Sequence, residues 1–343
     1  MALEKKKRGL GCIAGKPDHR DRLYIPKLSE EDAIFPIDLR SECNPVRNQG
    51  ELGSCTAFGV TELFDFVRKK HNLTSWVPSA LFTYYATRQL TNQTNEDCGA
   101  TVRDALKSTV KSGVARERVW PYNISKFTEN PPQQVWDDAE KHQTIEYLNL
   151  RNFDKNLCIK CLNEGYPFAF GIRLYSSFFN SSLRSKGYIS IPNILTEPEI
   201  GGHCMLAVGY KIDDDGKDYI IVQNSWGQYW GDGGYCYIPR EYFFNSGYDF
   251  WTIRLTEVCD TDEPDPIPVP EPEPIPVPPT PEPVPEPTPV PKPPVPDPIP
   301  EPIVVPPAPI IPELDAKPNY WKKFLITAGV FIIIAIIQFL LKK

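Results

Sequence analysis

The sequence predicts an α+β domain, a helical half followed by a β-rich half with a cleft between them. An extended proline spacer joins this domain to one C-terminal transmembrane helix. Three observations carry that prediction. Apolar residues recur at helical spacing between residues 55 and 113. Between 203 and 240 they form short runs broken by Gly-rich turns. Beyond residue 260 the composition changes twice, first to proline and then to an uncharged apolar run. The expected boundaries are an N-terminal segment over 1–35, a globular domain over 36–260, the spacer over 261–319 and the anchor over 320–343.

The first helix is predicted over CTAFGVTELFDFVRKKH, residues 55–71. Phe58, Leu63, Phe66 and Val67 fall at helical spacing there, and basic residues collect at the end that the helix dipole makes negative. A second helix is predicted over 78–90 and a third over 101–113, stopped by Gly113. A shorter one over 155–163 places Cys158 and Cys161 at i and i+3. No second pair with zinc-like spacing accompanies this C-x-x-C, so it reads as two neighbouring buried thiols before it reads as a redox or metal site. HCMLAVGYKI (203–212), KDYIIVQNSWG (217–227) and GGYCYIPR (233–240) predict strands.

Of the 38 prolines, 25 fall between Pro264 and Pro312. Proline lacks the N–H and fixes φ, so this stretch cannot hold a helix or a central strand. It predicts a polyproline II spacer of about 150 Å if straight. The net charge of −7 has the same local origin, because residues 264–312 carry seven acids and one lysine and the rest is near neutral. No basic patch stands out, which excludes nucleic acid as an expected partner. From Phe324 to Leu341 run 18 uncharged residues, about 27 Å of helix, with Tyr320 and Trp321 at one end and lysine pairs at both. The N-terminus has no apolar run of secretory type. The expected topology is a tail anchor with the domain on the cytosolic side, or on a virion or host endomembrane if the source is viral. The nine cysteines are odd in number and irregular in spacing, and are expected to be reduced and mostly buried. No metal and no cofactor is expected. PVPP at 276–279 has PxxP form, which would suit an SH3- or WW-type partner.

Chemistry enters at NQGELGSCTAFG, residues 48–59, where Cys55 sits at a predicted helix N-terminus. A free thiol is only partly ionised at neutral pH, and a helix N-terminus or a neighbouring imidazolium favours the thiolate. The chain has four histidines, and His203 follows Gly201-Gly202 at the start of an apolar strand. Asn224 closes the next strand, and antiparallel pairing of the two would bring it beside His203 to orient the ring. Singly, Cys55 reads as a buried thiol, His203 as a core residue and Asn224 as a turn residue. In order and spacing they read as a nucleophile, a base and its orienting group. His203 lies about 150 residues after Cys55 and Asn224 about 170, close to the papain and cathepsin pattern.

The chain resembles the papain family of cysteine peptidases, in the branch met in bacteria and large DNA viruses. Residues 48–59 are similar to the family's nucleophile segment. Gly201-Gly202-His203 with Ala207–Tyr210 resembles its histidine strand, and Asn224-Ser225-Trp226-Gly227 its asparagine segment. The resemblance implies a two-lobed papain-like fold and hydrolysis of polypeptide substrates through a thioester acyl-enzyme. It implies Cys55 as nucleophile, His203 as base and then acid, Asn224 as its orienting group, and Gln49 with the Cys55 N–H as oxyanion donors. It further implies that Trp226 shields the Asn–His bond from water and that Gly99 binds substrate backbone. Two positions depart from the family pattern. Leu52 stands where a disulfide cysteine is usual, and Thr56 where the nucleophile is usually followed by Trp. With no long pro-region in view, residues 10–35 are expected to drape over the cleft. A peptidase-like scaffold without turnover, and acyl transfer to an amine, are the competing readings.

Overall fold

The computed structural model describes residues 9–28, 34–150, 155–179 and 186–256. The proline spacer and the apolar segment 324–341 lie outside the described residues. Among the described residues no helix is long and apolar enough to cross a membrane.

Helix α1 (Cys55–Lys70) runs through the centre of the molecule. Every residue from Cys55 to Arg68 is buried, not only the predicted apolar stripe. Its buried charged residues are therefore paired. Glu62 accepts from Arg47 Nε at 2.7 Å, Asp65 accepts from Asn44 at 2.7 Å, and Arg68 donates to the Thr74 carbonyl at 3.0 Å. Unpaired, each such buried group would cost about 1–3 kcal/mol. Arg68, Lys69 and Lys70 occupy the last turn, where the dipole favours cations.

Two more helices complete the helical half. The Ser79 hydroxyl caps α2 (Ala80–Gln89) by accepting from Phe82 N at 3.1 Å. Thr101 caps α3 (Val102–Lys111) by accepting from Asp104 N at 2.9 Å. Substituting such caps by alanine typically costs about 1 kcal/mol. α4 (Gln133–Ala139) packs with α1 and α2 around Phe58, Phe82, Tyr84, Trp120 and Val135. Gly113 ends the α3 segment with φ +78°, and a Cβ there would meet the Ala139 carbonyl at 1.8 Å.

The β-rich half holds β1 (Ile37–Asp38), β2 (Thr144–Asn149), β3 (Phe168–Tyr175), β4 (Glu199–Ile212), β5 (Asp218–Gln223), β6 (Tyr235–Pro239) and β7 (Gly247–Thr256). All pairs are antiparallel, in the order β2-β7-β3-β4-β5-β6, and β1 adds to β4. α5 (Lys155–Asn163) and α6 (Arg240–Ser246) accompany the sheet. The rings of Phe168, Phe170, Phe243 and Phe250 pack together, with Phe170 and Phe243 at 4.5 Å. Each such buried side chain contributes about 1.5–3 kcal/mol relative to an exposed one. The α+β reading holds: helices dominate the first half and the sheet the second.

The predicted helices appear within two residues of their expected ends. Strands β2, β3 and β7 were not predicted from pattern. β3 is buried at all positions but Arg173, so it shows no alternation. β7 shifts register against β3 near Asp249, which takes φ +58°.

Candidate active site

Cys55 is the first residue of α1, as its loop-to-helix position predicts. The backbone amides of Cys204, Gly11 and Thr56 lie near enough to its sulfur to favour its ionisation. These donors favour the thiolate, but full burial outweighs them, and with the nearby Cys12 thiol it pushes Cys55 up to about 12.

His203 and Asn224 come from neighbouring strands. β4 and β5 pair with Leu206 opposite Gln223, so Asn224 at the end of β5 reaches back along β4. His203 Nε2 lies 2.8 Å from Asn224 Oδ1. The same oxygen accepts from Ser225 N at 2.8 Å, which fixes the orientation of the amide. Facing an oxygen, Nε2 must carry the proton. In the neutral ring Nδ1 is then the basic nitrogen.

Trp226 covers this pair. Its ring stacks on His203 with centroids 4.6 Å apart and 22° between planes. Phe178, Phe179 and Trp230 surround the indole in turn, at centroid distances of 5.9, 5.6 and 5.2 Å. Phe178 and Phe179 come from a 3-10 turn over Ser176–Phe179, which no motif signalled.

Gln49 is fully buried. Its Nε2 donates to the Leu52 carbonyl at 2.8 Å and to the Gly9 carbonyl at 3.0 Å, and its Oε1 accepts from Ser225 Oγ at 2.6 Å. Ser225 therefore touches both the Gln49 amide and the Asn224 carbonyl oxygen. It lies in the Asn224–Gly227 segment, where nothing in the sequence signals this double contact. The loop before Cys55 is braced by Tyr122, whose hydroxyl donates to the Gln49 carbonyl at 2.9 Å, and by the Asp97 carboxylate, which accepts from Gly53 N at 3.1 Å. Asp97 thus ties this loop to the Gly99 loop, and Leu52 packs in the core of the helical half.

Residues 9–13 lie across both halves. Gly9 N donates to Gly50 O at 3.0 Å, Ala100 N to Gly11 O at 2.8 Å, Ile13 N to Ala100 O at 2.9 Å and Cys12 N to Gly202 O at 3.2 Å. Tyr248 donates its hydroxyl to the Cys12 carbonyl at 2.9 Å. Gly99 has φ +71°, and a Cβ there would meet the Gly11 carbonyl at 2.1 Å. So Gln49, Gly99 and Cys55 all face this strap. Cys158 and Cys161 lie elsewhere, buried on α5, and no group of residues suited to holding a metal occurs among the described residues.

The papain family cysteine protease profile matches residues 36–248. An uncharacterized peptidase C1-like protein of Acanthamoeba polyphaga mimivirus is 34% identical over 285 residues, 74% of this chain and 88% of the relative. A cathepsin B-like protein of Giardia intestinalis is 26% identical over 261 residues, 71% of this chain and 78% of the relative. Among solved structures, xylellain, a cysteine protease from Xylella fastidiosa, superposes with a TM-score of 0.66 at 33% identity, covering 74% of this chain and 98% of that one.

Proposed function

The chain belongs to the papain family of cysteine proteases, and we propose that it cleaves polypeptides through Cys55, His203 and Asn224 with Gln49 as oxyanion donor. The observation that carries this reading is the fixed tautomer of His203. Asn224 Oδ1 holds Nε2–H at 2.8 Å, which leaves Nδ1 to take a proton.

The reaction then runs in two halves. His203 Nδ1 takes the Cys55 proton, and the thiolate adds to the substrate carbonyl carbon. The negative charge on oxygen is held by Gln49 Nε2 and by the Cys55 N–H at the start of α1, where helical N–H groups lack intrahelical partners. The imidazolium returns its proton to the leaving amine, and the C–N bond breaks to give a thioester. Water, deprotonated by His203, adds to the thioester carbon, and the acid leaves as Cys55 regains its proton. Trp226 keeps water from the Asn224–His203 bond. Gly99 and Ala100 offer main-chain groups to a substrate strand once residues 9–13 leave.

The strap restrains this chemistry in two ways. It places the Gly9 carbonyl on Gln49 Nε2, and it buries the Cys55 thiol so that the proton stays on. The uncharged segment 324–341 and the proline spacer support a membrane-tethered peptidase that reaches substrates away from the bilayer.

The test is a peptide-epoxide thiol probe on the full chain, with mass-spectrometric mapping of the adduct and a fluorogenic peptide series. A single adduct on Cys55, with hydrolysis abolished in Cys55→Ala, is expected. Labelling without hydrolysis would favour acyl transfer. No adduct on Cys55 would leave the scaffold reading.

A further inference from the structure

The geometry points to a thiol–disulfide latch: Cys12 on the strap and Cys204 on β4 close into a disulfide that fastens the strap over the cleft, and a thiol reductant releases it. The inference rests on the active-site reading above, because the latch matters only if Cys55 is the nucleophile beneath it.

The two thiols are brought together by absent side chains. Gly171 and Cys204 are cross-strand partners in β3 and β4, so their side-chain positions share one face of the sheet. A Cβ on Gly171 would stand 2.8 Å from Cys12 Sγ. The Tyr248 ring, 2.3 Å from the same position, and the Cys12 thiol therefore share the space of the missing side chain, on the face of the sheet that carries Cys204. Each thiol is among the groups that shift the other's titration. The strap is already pinned at this height, since Cys12 N donates to Gly202 O at 3.2 Å and a Gly202 Cβ would meet the Cys12 carbonyl at 2.1 Å. Gly202 precedes Cys204 by two residues, on the same face of β4. On the other side, Cys204 Sγ lies 2.9 Å from the Cβ position of Gly59, one helical turn after Cys55. Cys12 is the single cysteine in residues 1–35. Both thiols are free and buried.

Burial raises both thiols, so the docked pair is protonated and unreactive. Exchange begins with the strap lifted. The Cys12 thiolate attacks a low-molecular-weight disulfide, RSSR, forming Cys12–S–SR and releasing RS⁻. When the strap re-docks, Cys204 loses its proton and attacks Cys12 Sγ, and the second RS⁻ leaves. Two protein thiols and one RSSR become one protein disulfide and two RSH. A dithiol reductant reverses both steps.

The full-length chain is equilibrated with glutathione disulfide or with dithiothreitol. Linked peptides are mapped by mass spectrometry, and peptide hydrolysis is measured in parallel. The expected result is a Cys12–Cys204 peptide in oxidised wild type and in oxidised Cys55→Ala. Wild-type hydrolysis falls by roughly 30-fold or more, the lower end of what a loop-closing disulfide contributes. Dithiothreitol restores it. Cys12→Ser keeps its hydrolysis after oxidation, and Cys12→Ser and Cys204→Ser each lose the linked peptide. Absence of that peptide from oxidised Cys55→Ala, or an equal loss of hydrolysis in Cys12→Ser, overturns the latch. Hydrolysis that survives in Cys55→Ala overturns the active-site reading instead, and the linked peptide still reports on the latch.

Discussion

Gln49 Nε2 donates to the carbonyl of Gly9 at 3.0 Å. The amide proposed to meet the charge of the reacting carbonyl is thus occupied by a carbonyl of the same chain, forty residues upstream. On that proposal the strap competes with substrate for the same donor.

Weakening the strap should raise activity. Gly11 packs so closely that a Cβ would meet the Gly53 carbonyl at 2.0 Å, a backbone atom that cannot swing away. Gly11→Ala is expected to undock residues 9–13 and release a few hydrogen bonds of about 1 kcal/mol each, raising peptide hydrolysis and Cys55 alkylation roughly tenfold. Iodoacetamide labelling rates and kcat/KM, measured together, check this. Unchanged values in a folded Gly11→Ala protein would remove the strap from any restraining role.

The triad should separate from its supports in kinetics. Asn224→Ala is expected to lower kcat roughly 10²-fold with little change in KM, because the ring loses its orienting partner. Gln49→Ala should cost roughly 10²–10³ in kcat.

Ser225→Ala removes the 2.6 Å bond to Gln49 Oε1 but leaves Nε2 held by Leu52. A roughly fivefold loss, about 1 kcal/mol, is expected. Progress curves with one fluorogenic peptide rank the three variants, and Ser225→Ala falling as far as Gln49→Ala would show that Leu52 does not hold the amide.

Stability should fall in mild alkali. Burial, the largest cause in each, pushes Cys55 and Cys43 up to about 12 and Cys161 up to about 11. An unfolded thiol ionises near 9. The folded chain keeps these protons while the unfolded chain loses them, so the thiols' contribution is whole below pH ~9 and is lost from there through about 12. The urea midpoint is expected to hold between about pH 7 and 8.5 and to drop by about pH 10.5. A midpoint constant across that range would mean the thiols are not buried in solution.

The packed rings of the β-rich half should dominate its stability. Phe170 contacts Phe168, Phe243 and Phe250. Phe170→Ala is expected to cost about 3–5 kcal/mol in urea unfolding, and a cost under about 1 kcal/mol would mean the site collapses to fill the cavity.

Much of this protein is written locally. Helical spacing, the Gly113 stop and the dipole-matched basic end determine α1, α2 and α3, because those signals act within a few residues. The order Cys55, His203, Asn224 within recognisable segments identified the family, since each segment carries its own turn and strand chemistry. Other features depend on residues distant in sequence. α1 reads as amphipathic yet is buried along Cys55–Arg68, because the sheet covers one side and α2 and α3 the other. β3 and β7 have no alternation to read, since both faces of β3 are covered and β7 shifts register near Asp249. The position of Ser225 between Gln49 and Asn224, and of Phe178 and Phe179 around Trp226, follows from packing between elements. The thiol of Cys55 shows the division most clearly. Its place at a helix N-terminus was legible and favours the thiolate. Its burial beneath residues 9–13 was decided only by the tertiary structure, and desolvation outweighs the local donors.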